Sequence, residues 1–255
     1  MLVDSHSHFD AAEFDGDRTA VLARARSAGV TRQIVPAVAA STWPGLRDVC
    51  LQDSGLFPAY GLHPMYLAEH RPEHLDALRQ WIQREHPVAI GECGLDFFVD
   101  GLDADAQQQF FDGQLRVARE FGLPVIVHAR RAVDAVIAAI RRVRGLTGVV
   151  HSFSGSPEQA RQLWGMGFLI GLGGPVTYER ANRLRALART MPLDYLLLET
   201  DAPDQPDAGI RGQRNEPERL SVVRDVIASL RDIAPEDVAA ATTRNAERLF
   251  KLPVA

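Results

Sequence analysis

The chain begins Leu2-Val3-Asp4-Ser5-His6-Ser7-His8-Phe9-Asp10, a short apolar run that stops at a pair of histidines. An open doubly wound α/β sheet carries a glycine-rich phosphate loop after its first strand. Ser5–Asp10 contains no glycine, so that fold is disfavoured from the start. Side chains two apart on a strand face the same side, so His6 and His8 are expected to point at one spot. Neutral imidazoles held side by side suit a divalent transition metal.

Similar apolar runs recur along the chain. Strands are predicted at Leu2–Ser5, Gln33–Ala37, Phe57–Leu62, Val88–Glu92, Val125–His128, Gly148–His151, Phe168–Leu172 and Tyr195–Glu199. Such short continuous runs suit strands buried on both faces, as in a parallel sheet. Between them, helices are predicted at Arg18–Ala28, Thr42–Asp53, Pro72–Glu85, Asp105–Phe121, Ala132–Val143, Pro157–Met166, Tyr178–Arg189 and Glu216–Leu230, with Pro235–Phe250 closing the chain. Ser156-Pro157 reads as a helix N-cap followed by its first residue. Gly122 ends a helix, with Pro124 beyond it. Eight β-then-α units in 255 residues match an α/β fold of the TIM-barrel type, a (β/α)8 barrel with an additional C-terminal helix. No linker, low-complexity segment or repeat interrupts the pattern, so residues 1–255 are expected to form a single domain.

Composition bounds the function. A net charge of −5 excludes an overall basic field that would draw in nucleic acid, although bound ions can create a local one. Cys50 and Cys93 are too few and too far apart for a disulfide framework, and a reduced, cytoplasmic compartment is expected. The N-terminus lacks the pattern of a signal peptide, and no apolar run approaches the roughly 20 residues of a membrane span. No membrane contact and no obligate protein partner are expected.

In a TIM barrel the C-terminal strand ends carry the catalytic residues. Here those ends read His6 and His8, then Gly61-Leu62-His63-Pro64, Gly91-Glu92-Cys93-Gly94-Leu95-Asp96, His128-Ala129-Arg130, His151-Ser152-Phe153-Ser154-Gly155 and Glu199-Thr200-Asp201-Ala202-Pro203. Five of the eight histidines fall on strand ends; His70, His74 and His86, in or beside the third helix, read as surface residues. Singly, His128 or His151 reads equally as a satisfied core histidine, and Glu92 or Asp201 as half of an ion pair. Together, His6, His8, Glu92, His128, His151 and Asp201 at one barrel mouth call for metal. Six ligands exceed what one open catalytic ion takes and suit two ions roughly 3.5–4 Å apart. A carboxylated lysine cannot bridge them, because Lys251 is the only lysine. Glu92, between the two histidine sets, is the available bridge. Hydroxide made at such a pair attacks a phosphorus or carbonyl centre, with Asp201 taking the water proton. The ligand set accepts Zn²⁺, Mn²⁺ or Ni²⁺, and Mg²⁺ less naturally.

These motifs, with Asn215-Glu216-Pro217, resemble the TatD family of metal-dependent deoxyribonucleases among the amidohydrolase-like barrels, over the whole chain. The resemblance implies that His6, His8, Glu92 and Asp201 hold one ion and that Glu92, His128 and His151 hold the other. It implies that His63 lies near the scissile phosphate and that the activity is metal-dependent 3′-to-5′ digestion of DNA and some RNA. Two departures stand out. Cys93 replaces the usual isoleucine, and Asp204-Gln205-Pro206 stands where many members have Pro-Tyr-Leu, as in a separate branch often described only as metal-dependent hydrolases.

The expected function is therefore a two-metal phosphodiesterase, a 3′-5′ exonuclease on single-stranded DNA, with Asp201, Glu92 and His63 as catalytic residues. The alternatives are an amidohydrolase on a small cyclic amide or ester, a hydrolase of small phosphoesters, and a metal-loaded nucleic-acid-binding scaffold without activity. Arg130, Arg131, Arg211 and Arg214 read equally as phosphate clamps and as solvated loop charges. Phe97, Phe98 and Phe153 could stack bases, but loop packing is the expectation. Asn215 reads as a helix N-cap, and Glu199 and Thr200 as residues that orient the Asp201 turn.

Overall fold

The runs of Val, Ile and Leu form eight parallel strands in sequence order: β1 (Leu2–Asp4), β2 (Val30–Pro36), β3 (Leu56–Tyr60), β4 (Ala89–Asp96), β5 (Val125–Arg130), β6 (Gly148–Val150), β7 (Phe168–Leu172) and β8 (Leu196–Leu198). Ser5 donates backbone and hydroxyl hydrogen bonds of 2.9 Å to the Leu198 carbonyl, joining the last strand to the first. Helices α1 (Arg18–Ser27), α2 (Trp43–Cys50), α3 (His74–Glu85), α4 (Ala104–Phe121), α5 (Val133–Arg142), α6 (Pro157–Gly165), α7 (Asn182–Thr190) and α8 (Leu220–Arg231) alternate with the strands, and α9 (Pro235–Phe250) follows. This is a (β/α)8 TIM barrel with an additional C-terminal helix. It is a computed structural model describing residues 1–253; residues 254 and 255 of the expected domain lie outside the described residues. Among the described residues no helix is long and apolar enough to cross a membrane.

The period of two along each strand separates two apolar layers. One side chain from each strand points into the barrel: Val3, Ile34, Ala59, Ala89, Ile126, Val149, Leu169 and Leu197. Ala246, Leu249 and Phe250 of α9, with Leu252, close that cluster. The alternate residues, such as Val125, Val127, Val150, Ile170 and Leu196, pack outward against the helices. Two positions beyond Ile126 comes His128, beyond Val149 comes His151, and beyond Leu197 comes Glu199. The same alternation that builds the core thus places these polar groups above it.

The helix signals behave as their chemistry requires. Ser156 and Gln159 form a reciprocal capping box at the start of α6. Gly122 ends α4 in the left-handed conformation, φ 63°. Most boundaries shift by one to four residues from the predicted ones, and three of the shifts bear on the site. β1 stops at Asp4, so His6 and His8 follow the strand; their extended course is held by Ser7 N–H to Ile34 O and His8 N–H to Ala202 O. β4 continues past Glu92 to Asp96. Residues 217–219 form a 3₁₀ turn, which moves the start of α8 to Leu220.

Candidate metal centre

The approach to the mouth on β1 is set by a buried knot. Asp4 accepts hydrogen bonds from Thr200 N–H (3.0 Å), Thr200 Oγ1 (2.6 Å) and His6 N–H (3.3 Å). Thr200 Oγ1 in turn accepts from Ala202 N–H. Burial outweighs the Thr200 bonds and pushes the Asp4 carboxyl up to about 7. The knot fixes the chain on both sides of His6 and Asp201 relative to each other.

Glu92 reaches the same place by an irregularity. Ile90 pairs with Val125 and Cys93 with Val127, so three steps on β4 oppose two on β5. Such an extra residue re-aims a side chain. Ile90 and Cys93 both pack in the outer layer, and Glu92 is turned into the mouth. Cys93 is a small buried free thiol there, as Cys50 is against α2's neighbours.

Five imidazoles surround this one carboxylate. Glu92 Oε2 lies 3.1 Å from His6 Nε2 and 3.4 Å from His8 Nε2. Asp201 Oδ1 lies 3.3 Å from His6 Nε2 and 3.7 Å from His8 Nε2, and those two nitrogens are 3.3 Å apart. Glu92 Oε1 lies 2.7 Å from His151 Nε2, 3.0 Å from His128 Nδ1 and 3.0 Å from His63 Nε2. His151 Nε2 and His128 Nδ1 are 3.4 Å apart. An ion with four bonds of about 2.0–2.1 Å sets its ligand atoms roughly 3.4 Å apart, close to the spacing around Glu92 Oε2. Glu92 is buried, and its Oε2 accepts no hydrogen bond. Both observations fit a divalent cation between these donors.

The far nitrogens are fixed as metal ligands require. His8 Nδ1 lies 3.2 Å from the Pro36 carbonyl, which needs a proton on Nδ1 and leaves Nε2 free to coordinate. His128 is oriented the other way: Nε2 faces Asp96 Oδ2 at 2.9 Å, leaving Nδ1 toward Glu92. His151 Nδ1 has no hydrogen-bond partner, and its nearest carboxylate is Glu199 Oε1 at 3.8 Å. Glu199 is buried, accepts from Ser152 N–H, and is pushed by burial up to about 8. Its carboxylate therefore stands behind His151, and its hydrogen bond goes to Ser152 and not to the Asp201 turn as expected. Gly171 makes room for it: a Cβ there would sit 2.1 Å from Glu199 Oε2.

Electrostatics follow from the crowding. Burial and the nearby His151 push His6 down to about 4. On His8, burial is outweighed by Glu92, and the ring rises to about 9. His151 rises in the same way to about 10. Burial also opposes the Glu92 charge, but His151, His63 and His6 outweigh it and hold the carboxyl well below its usual range. A divalent cation supplies the positive charge itself and binds the rings in their neutral form.

All six expected ligands and His63 thus meet at one point. The other expectations divide. Arg130 borders the mouth cavity, of about 1160 Å³, together with Arg18, Met65, Tyr66 and Gln205. Arg211 does not border it. Arg214 is bound elsewhere, to Asp17 (2.7 Å), Glu216 (2.8 Å) and the Glu13 carbonyl, so it is not available as a phosphate clamp. Asn215 is not a helix cap: its Nδ2 donates to the carbonyls of Thr200 and Asp204 at 2.8 Å and ties down the loop that carries Asp201. Thr200 orients that turn as expected. His70 is buried, with Nε2 2.8 Å from the His63 carbonyl, because it folds back under its own loop. Phe153 packs inside, whereas Phe97 and Phe98 are exposed.

Two supporting residues escaped sequence reasoning. In the sequence Asp96 is only the last residue of a motif, yet it orients His128. Gln205 stood out only as a departure from a pattern, yet its Nε2 donates to Asp201 Oδ2 and its Oε1 accepts from Ser152 Oγ at 2.8 Å.

Residues 3–251 match the family model described as TatD related DNase. The chain is 41% identical, over 255 residues, to the uncharacterized metal-dependent hydrolase YjjV of Escherichia coli K12, covering 99% of this chain and 98% of that one. The crystal structure of YjjV, described as a TatD homologue, matches with a TM-score of 0.94 at 40% identity, over 99% of this chain and 98% of that one. The chain is 34% identical over 260 residues to the 3′-5′ ssDNA/RNA exonuclease TatD of Erwinia billingiae, covering 99% and 100%.

Proposed function

This chain belongs to the TatD-related DNase family of metal-dependent hydrolases, and on that premise we propose that it hydrolyses phosphodiester bonds from the 3′ end of single-stranded DNA. The observation that carries the reading is Glu92, a buried carboxylate whose two oxygens face two separate sets of imidazoles. His6, His8, Glu92 and Asp201 would hold one divalent ion, and Glu92, His128 and His151 a second. Such ions, when bound, supply Lewis acidity and lower the pKa of water.

The residues around them do the rest. Asp201, oriented by Gln205, accepts the proton of the attacking water at Oδ2. His63 is a donor. Burial lowers its pKa, so the ring is neutral, and its Nδ1 accepts from Met65 N–H at 3.1 Å. The proton therefore sits on Nε2, 3.0 Å from Glu92 Oε1 and facing the cavity, where a phosphate oxygen can receive it. Arg130, at the rim, takes the neighbouring phosphate.

The test is digestion of a 5′-labelled single-stranded oligonucleotide with Mg²⁺ or Mn²⁺, beside Asp201→Asn and Glu92→Ala. A metal-dependent ladder shortening from the 3′ end, absent in both variants while their circular dichroism is native, is expected. Full activity in Glu92→Ala would overturn the bridging role. An intact oligonucleotide with every metal would transfer the activity to small phosphoesters.

A further inference from the structure

Beyond His128, the rim of the mouth is aromatic and basic. Phe97 and Phe98 are each 43% exposed, a large apolar area to leave in water beside an active-site cavity. The guanidinium of Arg130 lies 3.7 Å from the Phe98 ring centre and that of Arg131 4.7 Å. The turn is held rigidly. Asp96 Oδ1 accepts from Phe98 N–H (2.8 Å) and Val99 N–H (3.0 Å). Gln107 brackets the Asp96 backbone, accepting from its N–H at 2.7 Å and donating to its carbonyl at 3.0 Å. Phe97 N–H donates to the Arg130 carbonyl at 2.9 Å. The other oxygen of Asp96 orients His128. One carboxylate therefore positions both a metal-site histidine and the exposed aromatic turn.

The opposite wall differs in sign. β1 and β5 lie across the barrel from each other, and the loop after β1 lines the cavity with Asp10, Glu13 and Asp15. Arg18 on that side is occupied by Asp15 and by the carbonyls of Phe9, Asp10 and Ala11. A polyanion is repelled from the β1 wall and drawn to the β5 wall.

We propose that the Phe97-Phe98 turn, with Arg130 and Arg131, is a stacking platform for the bases next to the scissile phosphate of a single-stranded nucleic acid. The proposal rests on the phosphodiesterase reading and adds the path of the strand. An aromatic ring or a guanidinium plane stacks on any base, and the guanidinium fork bonds phosphate oxygens. Arg130 is two residues beyond His128 on β5, about 6.6 Å further along the strand, so the platform adjoins the metal centre. Bases paired in a duplex cannot reach it, which gives the site a preference for single strands.

Phe98→Ala and Arg131→Gln change exposed residues and leave the metal ligands in place. Binding of a fluorescein-labelled phosphorothioate oligothymidylate is followed by anisotropy in Mn²⁺, and hydrolysis of methyl 4-nitrophenyl phosphate is measured in parallel. Each variant is expected to lose about fivefold or more in oligonucleotide affinity, with hydrolysis of the small ester unchanged. Unchanged affinity in both variants overturns the platform and leaves the nuclease reading intact wherever the wild type digests DNA. A wild type that hydrolyses the small ester but neither binds nor digests the oligonucleotide overturns both.

Discussion

Asp96 shows how much a single atom assignment decides at this centre. Its Oδ1 is occupied by two backbone N–H groups, and its Oδ2 meets His128 Nε2 at 2.9 Å. Burial opposes its charge, but the His128 bond and the two N–H groups outweigh that and hold the carboxyl down at about 2. An ionised Oδ2 can only accept, so the ring proton stays on Nε2 and the Nδ1 lone pair faces Glu92 Oε1 at 3.0 Å. Asp96→Asn keeps the turn, because the amide oxygen still accepts from Phe98 and Val99. Its NH₂ then faces Nε2 and donates to it, which drives the ring proton onto Nδ1, the atom proposed to coordinate. Divalent-metal affinity is expected to fall about 10- to 100-fold, measured by isothermal titration with Zn²⁺ or Mn²⁺, while the fold is unchanged by circular dichroism. Equal affinity in the variant would show that His128 does not coordinate through Nδ1.

At the scale of the elements, the strands were legible in the sequence and the loops that complete the site were not. Strand ends stand out because apolar runs terminate there, and His128, His151, Glu92 and Asp201 are chemically conspicuous at those ends. Gln205 and Asp96 act across turns with no periodicity to read, and Glu92 is aimed by a register shift on β4 that alternation alone does not foresee. His70 reads as a surface residue for the same reason, since only its loop's return path buries it. The loop after β8 is the longest such case, and it is pinned by Asp207. That carboxylate accepts from Arg219 Nε (2.7 Å), Arg219 Nη2 (3.0 Å) and Gly209 N–H (2.8 Å). Burial raises its pKa, but Arg219 and Gly209 outweigh burial, and the carboxyl stays below its usual value. A depressed carboxyl contributes stability that is present above its unfolded pKa, about 3.9, and is lost as pH falls through the folded value. Asp207→Asn should therefore cost about 1.5–3 kcal/mol at pH 7 in urea unfolding. The gap from wild type should narrow as pH drops below about 4. A gap that stays constant down to pH 3 would show that the charge of Asp207 contributes nothing.

The whole molecule divides along the barrel axis into an end that reacts and an end that holds. The apolar ring from Val3 to Leu197 separates them. Below it, Phe250 is 2% exposed and closes the barrel with Leu249 and Leu252, and Arg32 pairs with Glu247 at 2.9 Å to hold α9 in place. Above it lie the proposed metal ligands. Phe250→Ala opens a cavity at the closed end and is expected to cost about 3–5 kcal/mol, lowering the melting temperature by roughly 10 °C for a chain of this size. Metal bound only by the folded state adds stability set by its concentration and affinity. Sites without shared partners add to within about 0.5 kcal/mol. The gain from saturating Mn²⁺, read as the difference between urea unfolding with the metal and with chelator, should therefore be the same in Phe250→Ala as in wild type, although the variant starts lower. A metal-dependent gain that shrinks in the variant would mean that the packing of α9 reaches through the apolar ring to the ligands. Construction of the site from strand ends standing on that ring would then be insufficient to account for its geometry.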